Sequence, residues 1–273
     1  MSRIANIDRR IIYLLLIAVI SLALLRPIGL AIKVSPETMK VYNAIDQIPP
    51  GSVVWMGFDF DAGAIPELMP AAKMIVRHAF ERDLRMVAGG MWQMSGDVAT
   101  QAFDAVAKDF PDKQYGVDWV NIGYRPGNAV WLDQMVQNAW TASAGQDAYG
   151  TKFEDLPLMA EFKSMKDAAF IMEFSTGTPG GPEYIKTVSG PFGIPMGQAC
   201  ISVEVPTTMP YISSGQLVGG VLGMKGAAEY ETLMEMPGSA TAGMDAQSFA
   251  HALIIGFIFL GNVGYVIERR KSR

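Results

Sequence analysis

The stretch Ser52-Val-Val-Trp-Met-Gly-Phe58 carries no charge, and Pro49-Pro50-Gly51 stops any helix before it. A strand with one wet face alternates apolar and polar residues. A continuous apolar run fills a strand buried on both faces, as in a parallel sheet covered by helices. The flanking segments agree with that reading. On the N-terminal side, Ser35-Pro36-Glu37 has the marks of a helix start: Ser as cap, Pro at the first helical position and an acid in the first turn. That helix runs to about Gln47. On the C-terminal side, helical periods over 66–82, 96–109 and 129–142 alternate with strand-like runs at 84–88 and 119–123. Further strands are expected at 168–174 and 196–203, a short helix at 182–188, and a last helix within 209–234. Residues 143–166 show no clear period beyond one helical turn near 155–159, which makes them a surface excursion. Strands alternating with helices imply right-handed crossovers. The expected fold is α/β, a Rossmann-like, doubly wound, mostly parallel sheet of about five strands.

Beyond this body, the apolar residues concentrate at the ends of the 273-residue chain. Residues 11–32 form an apolar stretch broken by one charge, Arg26, and 246–267 form a second of the same length. At about 1.5 Å per residue each reaches roughly 33 Å, enough to cross a bilayer core. No small-x-small cleavage site follows the first core, so it reads as an uncleaved anchor and not a signal peptide. One transmembrane helix at each end is therefore expected, with tails at 1–10 and 268–273 and a domain at 33–245. Arg3, Arg9 and Arg10 flank the first stretch, and Arg269, Arg270, Lys271 and Arg273 flank the second. Basic flanks resist translocation, which puts both termini in the cytoplasm, the central domain on the extracytoplasmic side and the chain in the cell (inner) membrane. Between Val34 and Asp245 there are 13 Lys and Arg against 25 Asp and Glu, a net of −12. An acidic body excludes nucleic acid as a partner, because phosphate binding needs a basic surface. Cys200 is the only cysteine, so no intramolecular disulfide exists, and a buried inert thiol is expected.

Ligands of open α/β sheets bind beyond the carboxyl ends of the strands. After the first strand come Asp59 and Asp61, which in an extended segment face the same way and present two carboxylates to one cation or polar ligand. A divalent cation, calcium or magnesium, suits that pair. The bland reading makes Asp61 and Gly63 turn formers and Asp59 an acceptor for backbone donors. After the fourth strand, Ser175-Thr-Gly-Thr-Pro-Gly-Gly181 offers hydroxyls and amides, with Ser175, Thr176 and Thr178 as ligand candidates. It matches neither phosphate-loop spacing, and a plain turn is the competing reading. No catalytic set emerges. His251 sits in a predicted span and His78 in a helix, where it reads as a surface residue, and there is no His or Cys cluster for zinc. The 18 methionines read mainly as core filling, although Met91 and Met94 are one close pair of the kind that copper-binding proteins use.

Gly215, Gly219 and Gly223 fall four apart and would share one face of the last helix as interface residues. Glycine in a helix costs about 1 kcal/mol against alanine, so close approach of another backbone is expected, from the domain's own sheet, a second copy or a membrane neighbour.

In layout, the chain resembles the membrane-anchored auxiliary subunits linked to gliding-type ABC transporters. The matching pieces are Val34-Ser-Pro-Glu-Thr-Met-Lys40, the strand beginning at Ser52 and the closing span from Ala246. The resemblance implies a non-catalytic partner subunit and carries over no site residues. The leading expectation is a non-enzymatic membrane-anchored module that binds a membrane protein partner or forms a homo-oligomer in a complex. The alternative is an extracytoplasmic binder or metal-dependent hydrolase using Asp59 and Asp61. A transmembrane sensor is disfavoured, because the tails are too short for a signalling domain.

Overall fold

The apolar run becomes strand β1 (Val53–Asp59), and all seven of its residues are buried. The computed structural model describes residues 8–271; Arg3 and Arg273, counted above as flanking charges, lie outside the described residues. Two compact units emerge, one spanning Ile32–Met236 and the other made of the two chain ends, up to Ala31 and from Pro237.

In the larger unit, α2 (Pro36–Asp46) is capped by Ser35, whose hydroxyl accepts from the Thr38 amide. Then follow β1, α3 (Ile65–Glu81), β2 (Arg85–Gly90), α4 (Ser95–Ala107), β3 (Trp119–Tyr124) and α5 (Ala129–Ala142). Residues 143–166 hold only short 3-10 turns and α6 (Pro157–Glu161), but they are not the surface excursion expected: Phe153, Leu158, Phe162 and Met165 are buried in the core on the Trp55 face. The chain continues through β4 (Phe170–Ser175), α7 (Gly181–Tyr184), a π-turn at Ile185–Ser189, α8 (Gly190–Phe192) and β5 (Met196–Cys200). It closes with α9 (Val205–Ser213), β6 (Gly219–Leu222) and α10 (Gly223–Leu233). All pairings are parallel and the strand order is β3-β2-β1-β4-β5-β6.

Both faces of the sheet are packed, which explains why β1 has no polar alternation. One face carries Phe58, stacked on Phe174 with ring centroids 4.9 Å apart and against Phe103 of α4. The other carries Trp55, which packs against Trp131 of α5 and Phe162 at centroid distances of 6.0 and 6.1 Å. Burying each such side chain contributes about 1.5–3 kcal/mol.

Two further expectations are corrected. The sheet has six strands, because 209–234 holds, besides the expected last helix α10, the end of α9 and strand β6. Gly215 is a left-handed turn residue (φ +77°), Gly219 lies in β6, and Gly223 (φ +64°) starts α10, so the three share no helix face. The close approach inferred from them is nevertheless present at Gly219, and it is internal. A Cβ there would collide with the Glu37 carbonyl oxygen of α2 and touch Val41, so α2 lies directly on β6.

The unit formed by the chain ends contains α1 (Arg9–Leu25) and α11 (Ser239–Lys271), packed along each other. Within α11, Ser239–Ile267 is long and apolar enough to cross a membrane, and its most apolar 18-residue window is almost entirely unburied. Among the described residues this is the one helix that qualifies, so the expected spanning helix at each end is not borne out at the N-terminal end. The helix of the first predicted span has 17 residues, about 26 Å, and stops at Leu25. Arg26 precedes Pro27, which disfavours the helical region at Arg26 and supplies no amide of its own, and residues 26–35 run on without helix. Its apolar side chains are largely exposed, including Leu14, Ile17, Leu22 and Leu25. Asp245 of α11 ties this unit together: its buried carboxylate accepts the amides of Ile28, Gly29 and Leu30 at 2.8, 2.8 and 3.0 Å.

Candidate functional site

From β1 the chain winds outward through β2 and β3, then returns to β4 on the other side of β1 and winds outward again. The winding reverses between β1 and β4, and the crevice at the carboxyl ends of those strands is where such folds place their ligands. Register aligns Gly57 with Glu173 and Gln198, and Asp59 with Ser175 and Cys200. With a side-chain period of two, all of these lie on the Trp55 face. The carboxyl half of that face is therefore a polar inlay: Asp59 and Glu173 are 0% exposed, Ser175 1% and Gln198 4%.

The inlay is roofed by α7 and by the loops after β2 and β4. Asp59 Oδ1 accepts the Met91 amide at 2.5 Å. Gln198 Nε2 donates to Ser175 Oγ at 3.0 Å. Trp92 Nε1 donates to the Pro179 carbonyl at 2.7 Å, joining the two loops over Asp59. Tyr184 of α7 is fully buried, and its hydroxyl reaches over Gly57, where a Cβ would lie 2.9 Å from that oxygen and 3.3 Å from Asp59 Oδ2. Glycine at 57 is required by this approach.

Several buried polar atoms here lack a completed hydrogen bond: Asp59 Oδ2, both Glu173 oxygens, the Tyr184 hydroxyl and Trp55 Nε1. Such groups are rare in folded proteins, and each calls for a partner. Neither carboxyl has a cationic partner among the described residues. Burial pushes Asp59 up to about 7 against the pull of the Met91 amide and the Tyr184 hydroxyl. Burial and the adjacent Asp59 raise Glu173 well above the usual carboxylate range. Burial, then the two carboxyls, raise the Tyr184 phenol. A cavity of about 20 Å³, room for about one water, adjoins Gln198 and is lined by Gly177, Thr178, Glu204, Thr208 and Tyr211.

Of the residues expected from sequence, Asp59 and Ser175 meet in this inlay; Thr176 is tied to it through its backbone amide, which donates to the Asp59 carbonyl, and its own hydroxyl is buried without a partner. Thr178 is exposed on the cavity rim. Asp61 does not join Asp59. The strand ends at Asp59, the alternation of an extended segment ends with it, and the exposed Asp61 carboxylate turns back to accept the Gly63 amide at 3.0 Å. Among the described residues, no three His, Cys, Asp or Glu side chains gather into one group. His78 is buried, not a surface residue. Its Nδ1 lies 2.7 Å from the Tyr230 hydroxyl, its ring stacks on Tyr42, and burial lowers its pKa. Cys200 is buried, and desolvation pushes its thiol up to about 12, so it is inert as expected.

Sequence reasoning missed Glu173, Tyr184 and Gln198. Glu173 had a signal, a lone carboxylate inside the apolar run 168–174. The other two are placed by strand register and by the fold of α7, which composition does not encode. A second cleft, of about 360 Å³, lies at the end of β3 against the start of α4 and is lined by Gly96, Asp97, Thr100, Gly123, Arg125 and Tyr149. The Arg125 guanidinium is already engaged by the carbonyls of Tyr124, Ser143 and Gln146. Comparison with protein-family models, curated proteins and solved structures finds no match to this chain.

Proposed function

We propose that this chain is a non-enzymatic, membrane-anchored α/β module that binds another membrane protein, or a second copy of itself, and helps to assemble or regulate a membrane complex. The observation that carries this reading is the closure of the strand-end site in a chain that also holds a lipid-suited helix. Asp59, Glu173, Ser175 and Tyr184 are at most 1% exposed beneath the Trp92–Pro179 bridge, so the acids of the sheet meet no substrate-sized cleft. The segment Ser239–Ile267, long and apolar enough to cross a membrane, supports the membrane anchor in this reading. In this reading α1 is a second span, short of the roughly 30 Å hydrocarbon core by a few ångströms, a mismatch that local thinning absorbs. The basic residues Arg9, Arg10, Arg269, Arg270 and Lys271 then keep both ends cytoplasmic and the acidic body extracytoplasmic in the cell membrane. The likeness in layout to transporter-linked auxiliary subunits fits the same role. The competing hydrolase reading, which paired Asp59 with Asp61, lacks geometric support because Asp61 is bonded to its own turn.

Extraction in mild detergent followed by native mass measurement tests the proposal. A stoichiometric complex, reproduced by cross-linking in intact membranes, is the expected result; a clean monomer with no co-purifying subunit in both experiments counts decisively against it.

A further inference from the structure

The charge around the strand-end inlay is one-sided. The segments that build it contribute Asp59, Asp61, Glu67, Glu173, Glu183 and Glu204, whereas the only basic residue between Ala168 and Met224 is the exposed Lys186. Two of those acids, Asp59 and Glu173, are fully buried on adjacent strands with three of their four oxygens unpartnered. Burying like-charged carboxyls without a counter-charge is costly, and proteins offset that by holding a proton, by pairing or by metal coordination. An independent observation comes from α7. The Tyr184 hydroxyl, also fully buried and without a completed hydrogen bond, reaches over Gly57 to the side of Asp59 Oδ2, which adds a neutral oxygen to those of the carboxyls. Ser175 Oγ and the side-chain amide of Gln198 lie on the same face, one register step away.

Apart from the N–H groups of Trp55 and Gln198, the polar groups here present oxygen, with no thiolate or imidazole among them. Hard divalent cations select that chemistry, and calcium tolerates an irregular set of carboxylate and neutral oxygens better than magnesium, which demands a near-ideal octahedron. We propose that the Asp59–Glu173–Tyr184 inlay at the winding reversal of the sheet is a binding site for a calcium-class divalent cation. This goes beyond the partner-binding role and does not depend on it. The cavity lined by Thr178, Gln198 and Glu204 supplies a polar approach at the rim. Asp61 takes no part.

The test uses the full chain in detergent, stripped with chelator and titrated with CaCl₂, MgCl₂ and, as a luminescent stand-in, TbCl₃. Trp55 and Tyr184 border the site, so excitation of the aromatic residues should yield terbium emission that calcium displaces. Calcium at about 100 times its Kd should raise Tm by at least about 3 °C. Glu173→Gln and Tyr184→Phe should each weaken calcium binding by about tenfold or more, while Asp61→Asn leaves it unchanged. Wild-type protein that shows neither sensitised emission nor a thermal shift overturns the proposal. So does calcium binding that survives intact in Tyr184→Phe and Glu173→Gln. Should Glu173→Gln fail to fold, the wild-type emission and the near-isosteric Tyr184→Phe variant still decide the matter. A native-mass experiment that finds a partner while calcium fails to bind would sink the cation site alone.

Discussion

Glu229 shows how much one side chain can organise. It is 1% exposed, yet it accepts Ser35 Oγ at 2.5 Å and Thr38 Oγ1 at 2.6 Å and pairs with Lys225, so α10 holds the capped start of α2. Hydrogen bonds to a charged group contribute about 1.5–3 kcal/mol each, and truncation leaves two hydroxyls short of a partner. Glu229→Ala should therefore lower stability by about 3 kcal/mol in urea melts, with Glu229→Gln costing less. Burial tends to raise this carboxyl, but the bonds from Lys225, Ser35 and Thr38 outweigh it and hold the group below its ordinary value. A depressed carboxyl contributes stability above the unfolded pKa of about 4.3 and loses it as pH falls through the folded value. Wild-type protein should accordingly lose more stability than Glu229→Gln between pH 5 and pH 3, as urea midpoints at each pH will show. The Ser35-Pro36-Glu37 signature announced the cap from sequence alone. Its distant acceptor was invisible, because it depends on where α10 lands.

At the scale of elements, legibility followed periodicity. Strands β1 to β4 and helices α2 to α5 were readable within about two residues, since each has a single dominant period. The segment 209–234 misled because three glycines at intervals of four imitate a helix face, when the spacing is a coincidence of a turn, a strand and a helix start. Strand β6 is four residues long and half glycine, so it offers almost no alternation to read. In the terminal unit, the apolar pattern overran the true end of α1, where proline outranks hydropathy. Helix α11 makes a direct prediction. Phe259 is 68% exposed within its apolar window. Lysine at the centre of a span costs about 3 kcal/mol on insertion. Phe259→Lys should thus reduce the inserted fraction of segment 239–267 by at least about tenfold in a glycosylation-reporter assay.

For the whole molecule, the fold class and the location of the candidate site were legible, because winding order and strand ends follow from alternating elements. The chemistry of the site was only half legible: Asp59 and Ser175 sat at strand ends, whereas Glu173 acts from mid-strand. Orientation across the bilayer gives the broadest prediction. Protease added outside intact cells or right-side-out vesicles should cleave within 34–245, and inverted vesicles should protect that region; the reverse pattern would reject the topology. The order β3-β2-β1-β4-β5-β6 has a further consequence for the chain as it is made. Strand β1 acquires β2 at once but must wait for Phe170–Ser175 before its other edge is covered. Until then Val54, Trp55 and Met56 lie along an open, uncharged ribbon able to zip onto a neighbouring copy. A nascent chain stalled between β3 and β4 is therefore the species most in need of a chaperone.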